Sequence, residues 1–219
     1  MASEASGNVN LIPSLPLQDR VAIVTGASPN LVSSEINSAS SPTTPQAIVA
    51  QADVSEPTQV KSLFDKAEEV FNSPVHILVN SAGVTDPKLP SIANTSLEDF
   101  DRIFSVNARG AFLCCKEAAN RLKHGGGGRI VLVSSSLVSS LKPGIAAYTA
   151  SKAAVETMTK ILAKELKGTG ITANCIAPGP IATEMFFAGR NEEYVKRVID
   201  DCPLGRLGRP RIWHRWWGF

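Results

Sequence analysis

The chain has 219 residues, enough for one single-core domain and short for two. It is 43% hydrophobic and 19% charged, a balance that excludes an intrinsically disordered chain. A net charge of +2 gives no field arguing for a nucleic-acid partner, and no apolar run reaches the roughly 20 residues that span a bilayer, which argues against a membrane partner.

The opening stretch, MASEASGNVNLIPSLPLQDR, lacks an apolar signal core and has no basic residue before Arg20. It reads as a flexible tail over 1–16 of a cytoplasmic protein, with plastid import left open. A single domain is expected over 17–210 and an atypical tail over 211–219. Val21–Val24 predicts a buried strand, followed by TGAS at 25–28. Pro29 can start a short helix, capped by Ser28 and reaching about Ile36. Ala47–Gln51 predicts a second strand, placed beside Val21–Val24. Ser55 is the expected cap of a helix running through Phe71, with Pro57 in its first turn. His76–Val79 is a third strand. Ser96 opens a long helix to about Lys123, with Leu97, Phe100, Phe104, Phe112, Cys115, Ala119 and Leu122 at helical spacing, ended by the glycines at 125–128. Ile130–Val133, a helix over Ala147–Leu166 stopped by Lys167 and Gly168, and a strand over Ile171–Ala177 complete the pattern.

Strands and helices in alternation predict a doubly wound α/β fold, a parallel sheet covered on both faces. The four cysteines, Cys114, Cys115, Cys175 and Cys202, form no C-x-x-C pair and read as reduced, small apolar residues; no metal site is expected.

In an open parallel sheet, ligands bind beyond the carboxyl ends of the strands. The segments there are TGAS, ADV, NSAG, SSS and PGPIATE, all small, polar or rich in Gly and Pro. YTASK places Tyr148 and Lys152 at i, i+4 on one helix face. An unperturbed phenol titrates near ~10, and a nearby ammonium favours the phenolate. Ser135, at a strand end, can offer a hydrogen bond to the same substrate oxygen. Y-x-x-x-K alone arises by chance in roughly one chain in three of this length, so its weight comes from that company.

Together with DV (53–54), NSAG (80–83), SVNARG (105–110) and PGPIAT (178–183), these motifs resemble the short-chain dehydrogenase/reductase family from about residue 17 to about 210. The wording of LVNSAGVTDPK and KELKGTGITANCIAPGPIATEMF is similar to its plant aldehyde reductase-like members that use NADPH. The resemblance implies a Rossmann-like fold and hydride transfer between NADP(H), rather than NAD(H), and a carbonyl–alcohol pair. It implies Tyr148 as general acid or base and Lys152 as the group that lowers the Tyr148 pKa and holds the nicotinamide ribose. Ser135 would polarise the substrate carbonyl beside Tyr148. Asn107 would kink its helix and hold a water linking Lys152 to solvent. Gly26, Asp53, Val54, Asn80, Ala82 and Gly83 would line the adenosine side, and Pro178, Gly179, Ile181 and Thr183 the nicotinamide end. A homodimer would form through the helices at 96–123 and 147–167.

The chain departs from the pattern twice. Only 26 residues separate Gly26 from Asp53, and after Gly26 the next glycine is Gly83. The family's first crossover helix and second strand would not fit, and Leu31 and Val32 stand where pyrophosphate needs close backbone approach. The end reads RIWHRWWGF where the family continues with a helix and a last strand. The first departure points to weakened cofactor binding; the alternative is a catalytically impaired chain that serves only as a subunit partner of intact relatives. The segment 183–199 lies where the family covers its substrate. Met185, Phe186 and Phe187 there read equally as an apolar lining or as packing residues.

Overall fold

A computed structural model describes residues 19–27 and 47–210. It contains a four-stranded parallel sheet in the order β1 (Val21–Thr25), β2 (Val75–Asn80), β3 (Arg129–Val133) and β4 (Thr172–Ile176). The long connections carry helices α1 (Pro57–Phe71), α2 (Leu97–Phe104), α3 (Ala111–Arg121) and α5 (Ala146–Glu165), with one-turn α4 (Leu137–Ser140) after β3. Beyond β4 come the one-turn helix α6 (Glu184–Phe187) and α7 (Glu192–Asp200).

The core lies between one face of the sheet and α1, α3 and α5. Val21 and Ile23 of β1, Leu78 of β2, Ile130 and Leu132 of β3 and Ala173 of β4 point to it. Val60 and Phe64 of α1, Ala111, Cys114 and Ala118 of α3, and Val155 and Leu162 of α5 meet them. These helices also touch one another in series, α1 against α3 and α3 against α5. The opposite face is apolar too, yet Ala22 and Val24 are exposed, Val24 at 52%. Among the described residues the long helices share one face, and the other is partly covered, Val79 being 5% exposed beside the open Val24. The short helix expected from Pro29 to Ile36, with its Ser28 cap, lies outside the described residues, as does RIWHRWWGF.

The segment Ala47–Gln51 is not a strand. β1 pairs with β2, and the apolar run lies outside the sheet, with Val49 44% exposed. A run this short carries no period of its own, and without a ladder partner its β-branched residues do not make a strand. Ser55 is not the cap of α1 either. Its N–H and hydroxyl both donate to Asp53 Oδ1, at 2.9 and 2.7 Å, making an Asx turn, and Glu56 takes the cap position without a side-chain bond. Pro57 does sit in the first turn, where its missing N–H costs nothing.

The long helix over 96–123 is divided. Ser96 caps it as expected, accepting from the Asp99 N–H. After α2, residues Ser105–Gly110 form a π-helical turn before α3. The helix ends at Arg121 with Leu122 extended, ahead of the glycines. Its predicted stripe is mixed: Cys115 and Leu122 are buried, whereas Leu97, Phe100 and Phe112 face out at 81%, 39% and 52%.

Candidate active site

The turns after the strands meet at the carboxyl edge of the sheet, starting with β1 and β2. The Thr25 hydroxyl donates to Asn80 Oδ1 at 3.0 Å and accepts the N–H groups of Ser81 and Ala82 at 3.2 and 3.1 Å. Gly26 follows with φ +74°, and a Cβ there would lie 2.7 Å from the Ala82 backbone. Glycine meets both demands, the left-handed backbone and the close approach. Gly26, Asn80 and Ala82 thus form one joined floor.

The π turn delivers Asn107 beneath that floor, fully buried. Its Oδ1 accepts the Val84 N–H at 2.8 Å, and its Nδ2 donates to Val84 C=O at 2.9 Å and to Ser151 Oγ at 3.0 Å. This fastens the loop after β2 to α5. Ser151 donates on to the Tyr148 carbonyl at 2.7 Å. Gly83 lies at the junction, where a Cβ would come within 3.2 Å of Asn107 Oδ1 and 3.3 Å of Lys152 Nζ. The π turn also brings Gly110 against Val54, with a Cβ at Gly110 falling 2.7 Å from Val54 Cγ2. Arg109 donates to the Ser55 carbonyl and ties the same loop to the helix.

Lys152 is 4% exposed, and its ammonium donates to the Val133 carbonyl at the end of β3, 2.8 Å away. Burial moves its pKa down from 10.5 to about 8. The ammonium lies 5.8 Å from the centre of the Tyr148 ring. Ser135 is buried, and its Oγ accepts the Leu137 N–H at 3.2 Å, fixing it at the start of α4. Tyr148 differs from expectation. Burial raises its pKa, and the opposing pulls come from the hydrogen-bonding Ser135 hydroxyl and the charge of Arg190; Lys152 is not among them.

The loop after β4 is pinned to the same edge: the Ser136 N–H donates to Pro178 C=O at 2.8 Å. Ile181 bridges Gly208, and Thr183 caps α6 by accepting the Phe186 N–H. Gly179 faces open space, with nothing within 4 Å of a Cβ placed there. Asp53 stands apart, its carboxylate turned to Ser55, which holds its pKa below the ordinary carboxylate value. Three buried side-chain polar atoms lack a partner among the described residues: Thr85 Oγ1 in the loop after β2, Thr149 Oγ1 beside Tyr148, and Arg190 Nε after α6. All three belong to segments around this edge. Unsatisfied polar atoms, a small-residue floor and a buried ammonium suit a polar ligand such as a nicotinamide dinucleotide.

Sequence reasoning did not assign Thr25, Ser151, Gly110 or Arg190 to the site. For the first three a signal exists, since each lies inside a quoted motif: TGAS, YTASK and SVNARG. Arg190 has none.

Small polar turns along one edge of a parallel sheet, with a Tyr–Lys pair on the helix between β3 and β4, define an α/β oxidoreductase of the dinucleotide-binding kind. The chain belongs to the short-chain dehydrogenase/reductase family: the family model described as enoyl-(acyl carrier protein) reductase matches residues 21–213. It is 58% identical to the NADPH-dependent aldehyde reductase-like protein, chloroplastic, of Arabidopsis thaliana, over 91% of this chain and 86% of that protein. It is 62% identical to NADPH-dependent aldehyde reductase 2, chloroplastic, of the same plant, over 76% of this chain but only 61% of that protein. Among solved structures it is similar to a dehydrogenase/reductase of Sinorhizobium meliloti, with a TM-score of 0.77 and 30% identity over 90% of this chain and 75% of the other. A Burkholderia cenocepacia protein described as a dehydrogenase, with bound NADP, gives 0.67 and 31% over 73% and 58%.

Proposed function

We propose that this chain is a carbonyl reductase exchanging a hydride between NADP(H) and an aldehyde or ketone and its alcohol. The observation that carries the reading is the junction of Gly83, Asn107 and Lys152 beside the Ser135–Tyr148 pair, at the edge where the strand-end turns meet. NADP(H) supplies the hydride when bound. Gly26, Asn80, Ala82 and Gly83 would hold its adenosine side, with Asp53 and Val54 at the rim. Pro178, Gly179, Ile181 and Thr183 would hold the nicotinamide end, and Lys152 the ribose.

Tyr148 gives its proton to the carbonyl oxygen in reduction and takes it back in oxidation. Its raised pKa keeps the phenol protonated at neutral pH, the form that reduction needs. Ser135 polarises the same oxygen. Lys152 replenishes the proton, and a pKa of about 8 places its exchange within reach of neutral pH. Asn107 holds the loop and α5 in register through Val84 and Ser151, and its helix turn offers the place for a water between Lys152 and solvent.

Cofactor affinity is weakened, because TGASPNLV offers one glycine where pyrophosphate needs several. Fluorescence titration with NADPH tests this: binding saturates, with a Kd above those of full-length relatives, whereas no saturation at millimolar NADPH overturns the reading. A homodimer is supported by the exposed Leu97, Phe100 and Phe112 on α2 and α3 and Ile161 on α5. The same faces favour a second reading, a subunit partner of intact relatives; mixed dimers on co-expression, without NADPH binding by this chain, would select it. The word chloroplastic in two relatives' names supports plastid over cytoplasmic residence. A fluorescent fusion in leaf cells distinguishes the two.

A further inference from the structure

Arg190 lies just beyond α6, and its N–H donates to the Phe187 carbonyl at 3.1 Å. The preceding Gly189 has φ +68°, and a Cβ there would come within 2.9 Å of Pro87 Cβ. The segment is therefore pressed onto the loop that leaves the Gly83 junction. The guanidinium carbon sits 4.7 Å from the Phe186 ring centre and 5.0 Å from that of Tyr194. Two aromatic faces hold the cation without neutralising it. Nε is buried with no hydrogen-bond partner, and no ion pair among the described residues includes Arg190. Its charge nonetheless acts on the Tyr148 phenol. Arg190 is half-buried, and an unpaired guanidinium held there is a ready partner for an anion.

We propose that Arg190 is a specificity-determining residue whose guanidinium, held between Phe186 and Tyr194, receives a carboxylate carried by the carbonyl substrate. This rests on the carbonyl-reductase reading and adds a substrate class to it: oxo acids over neutral aldehydes of equal length. The two rings preorient the planar fork of donors, the geometry in which arginine recognises carboxylates. With the oxo group at Tyr148 and the carboxylate at Arg190, the substrate is fixed at both ends.

The test compares kcat/KM for unbranched ω-oxo carboxylates of three to six carbons with alkanals of matching length, using the full chain and NADPH. Wild type should prefer the carboxylate by about tenfold or more at one length or more. In Arg190→Gln that ratio should fall toward one, and Arg190→Lys should retain part of it, which a packing role would not require. Thermal melting checks that each variant folds. A wild-type ratio near one at every length, or a preference that survives in Arg190→Gln, overturns the proposal. A rise of more than about tenfold in NADPH Kd in Arg190→Gln, with the substrate ratio unchanged, assigns the cation to the cofactor and equally overturns it. If no carbonyl compound turns over, the functional reading fails by itself. The anion site is then read by calorimetry with 4-oxobutanoate: saturable binding that Arg190→Gln abolishes supports the proposal, and no saturation in wild type overturns it.

Discussion

Replacing Lys152 with Met tests the electrostatics of the site without requiring any cofactor. The ammonium is 4% exposed, its bond to the Val133 carbonyl does not offset burial, and its pKa falls from 10.5 to about 8. At roughly 1.4 kcal/mol per pH unit, holding this charge costs the folded state about 3 kcal/mol below pH 8. The folded protein sheds this proton at lower pH than the unfolded chain. Between pH 8 and 10.5 the unfolded chain therefore binds more protons, and wild-type stability rises with pH. Met fills similar volume and carries no proton, so the variant lacks this slope. At pH 7 it should be the more stable protein by about 1–2 kcal/mol, the relieved charge offset in part by an unpaired Val133 carbonyl. Wild type should gain about 2 kcal/mol on the variant between pH 7 and 9.5. Urea unfolding of both proteins at pH 7, 8.5 and 9.5 gives the difference directly. A gap that stays constant within about 0.5 kcal/mol would refute the reasoning, because it would mean that the ammonium is solvated as in the unfolded chain.

Two further substitutions probe the scaffold. Asn107→Leu strips both Val84 backbone groups of their side-chain partner and should cost about 2–4 kcal/mol in urea unfolding, while Ser151 keeps its bond to the Tyr148 carbonyl. Gly110→Ala drives a methyl to 2.7 Å from Val54 Cγ2 and 3.2 Å from its carbonyl oxygen. The loop bearing Asp53 must shift, at about 1–3 kcal/mol by chemical denaturation and with a raised NADPH Kd.

Strands β1 to β4 and the long helices were legible because each carries its own signal: β-branched runs, helical spacing, and Ser96 before an acidic first turn. Ala47–Gln51 carried the strand signal without the outcome, since what decides a strand is a ladder partner, which lies elsewhere in the chain. Ser55 has the right residue type for a cap, but Asp53, two residues earlier, captures it first. Tyr148 and Lys152 were legible as a pair. The balance of charges on Tyr148 was not, because the charge of Arg190 acts on it from a segment 42 positions away and the Lys152 ammonium gives one of its donors to the Val133 carbonyl. The π turn has no composition of its own in SVNARG; it follows from burying Asn107 against Val84 and Ser151.

The most direct measurement is NADPH oxidation driven by an aldehyde, in wild type and Tyr148→Phe, at NADPH concentrations set by fluorescence titration of each. The account predicts aldehyde-dependent oxidation that falls by about a hundredfold or more in the variant, with NADPH binding unchanged. Equal rates in the two proteins, or no saturable NADPH binding in either, would contradict it.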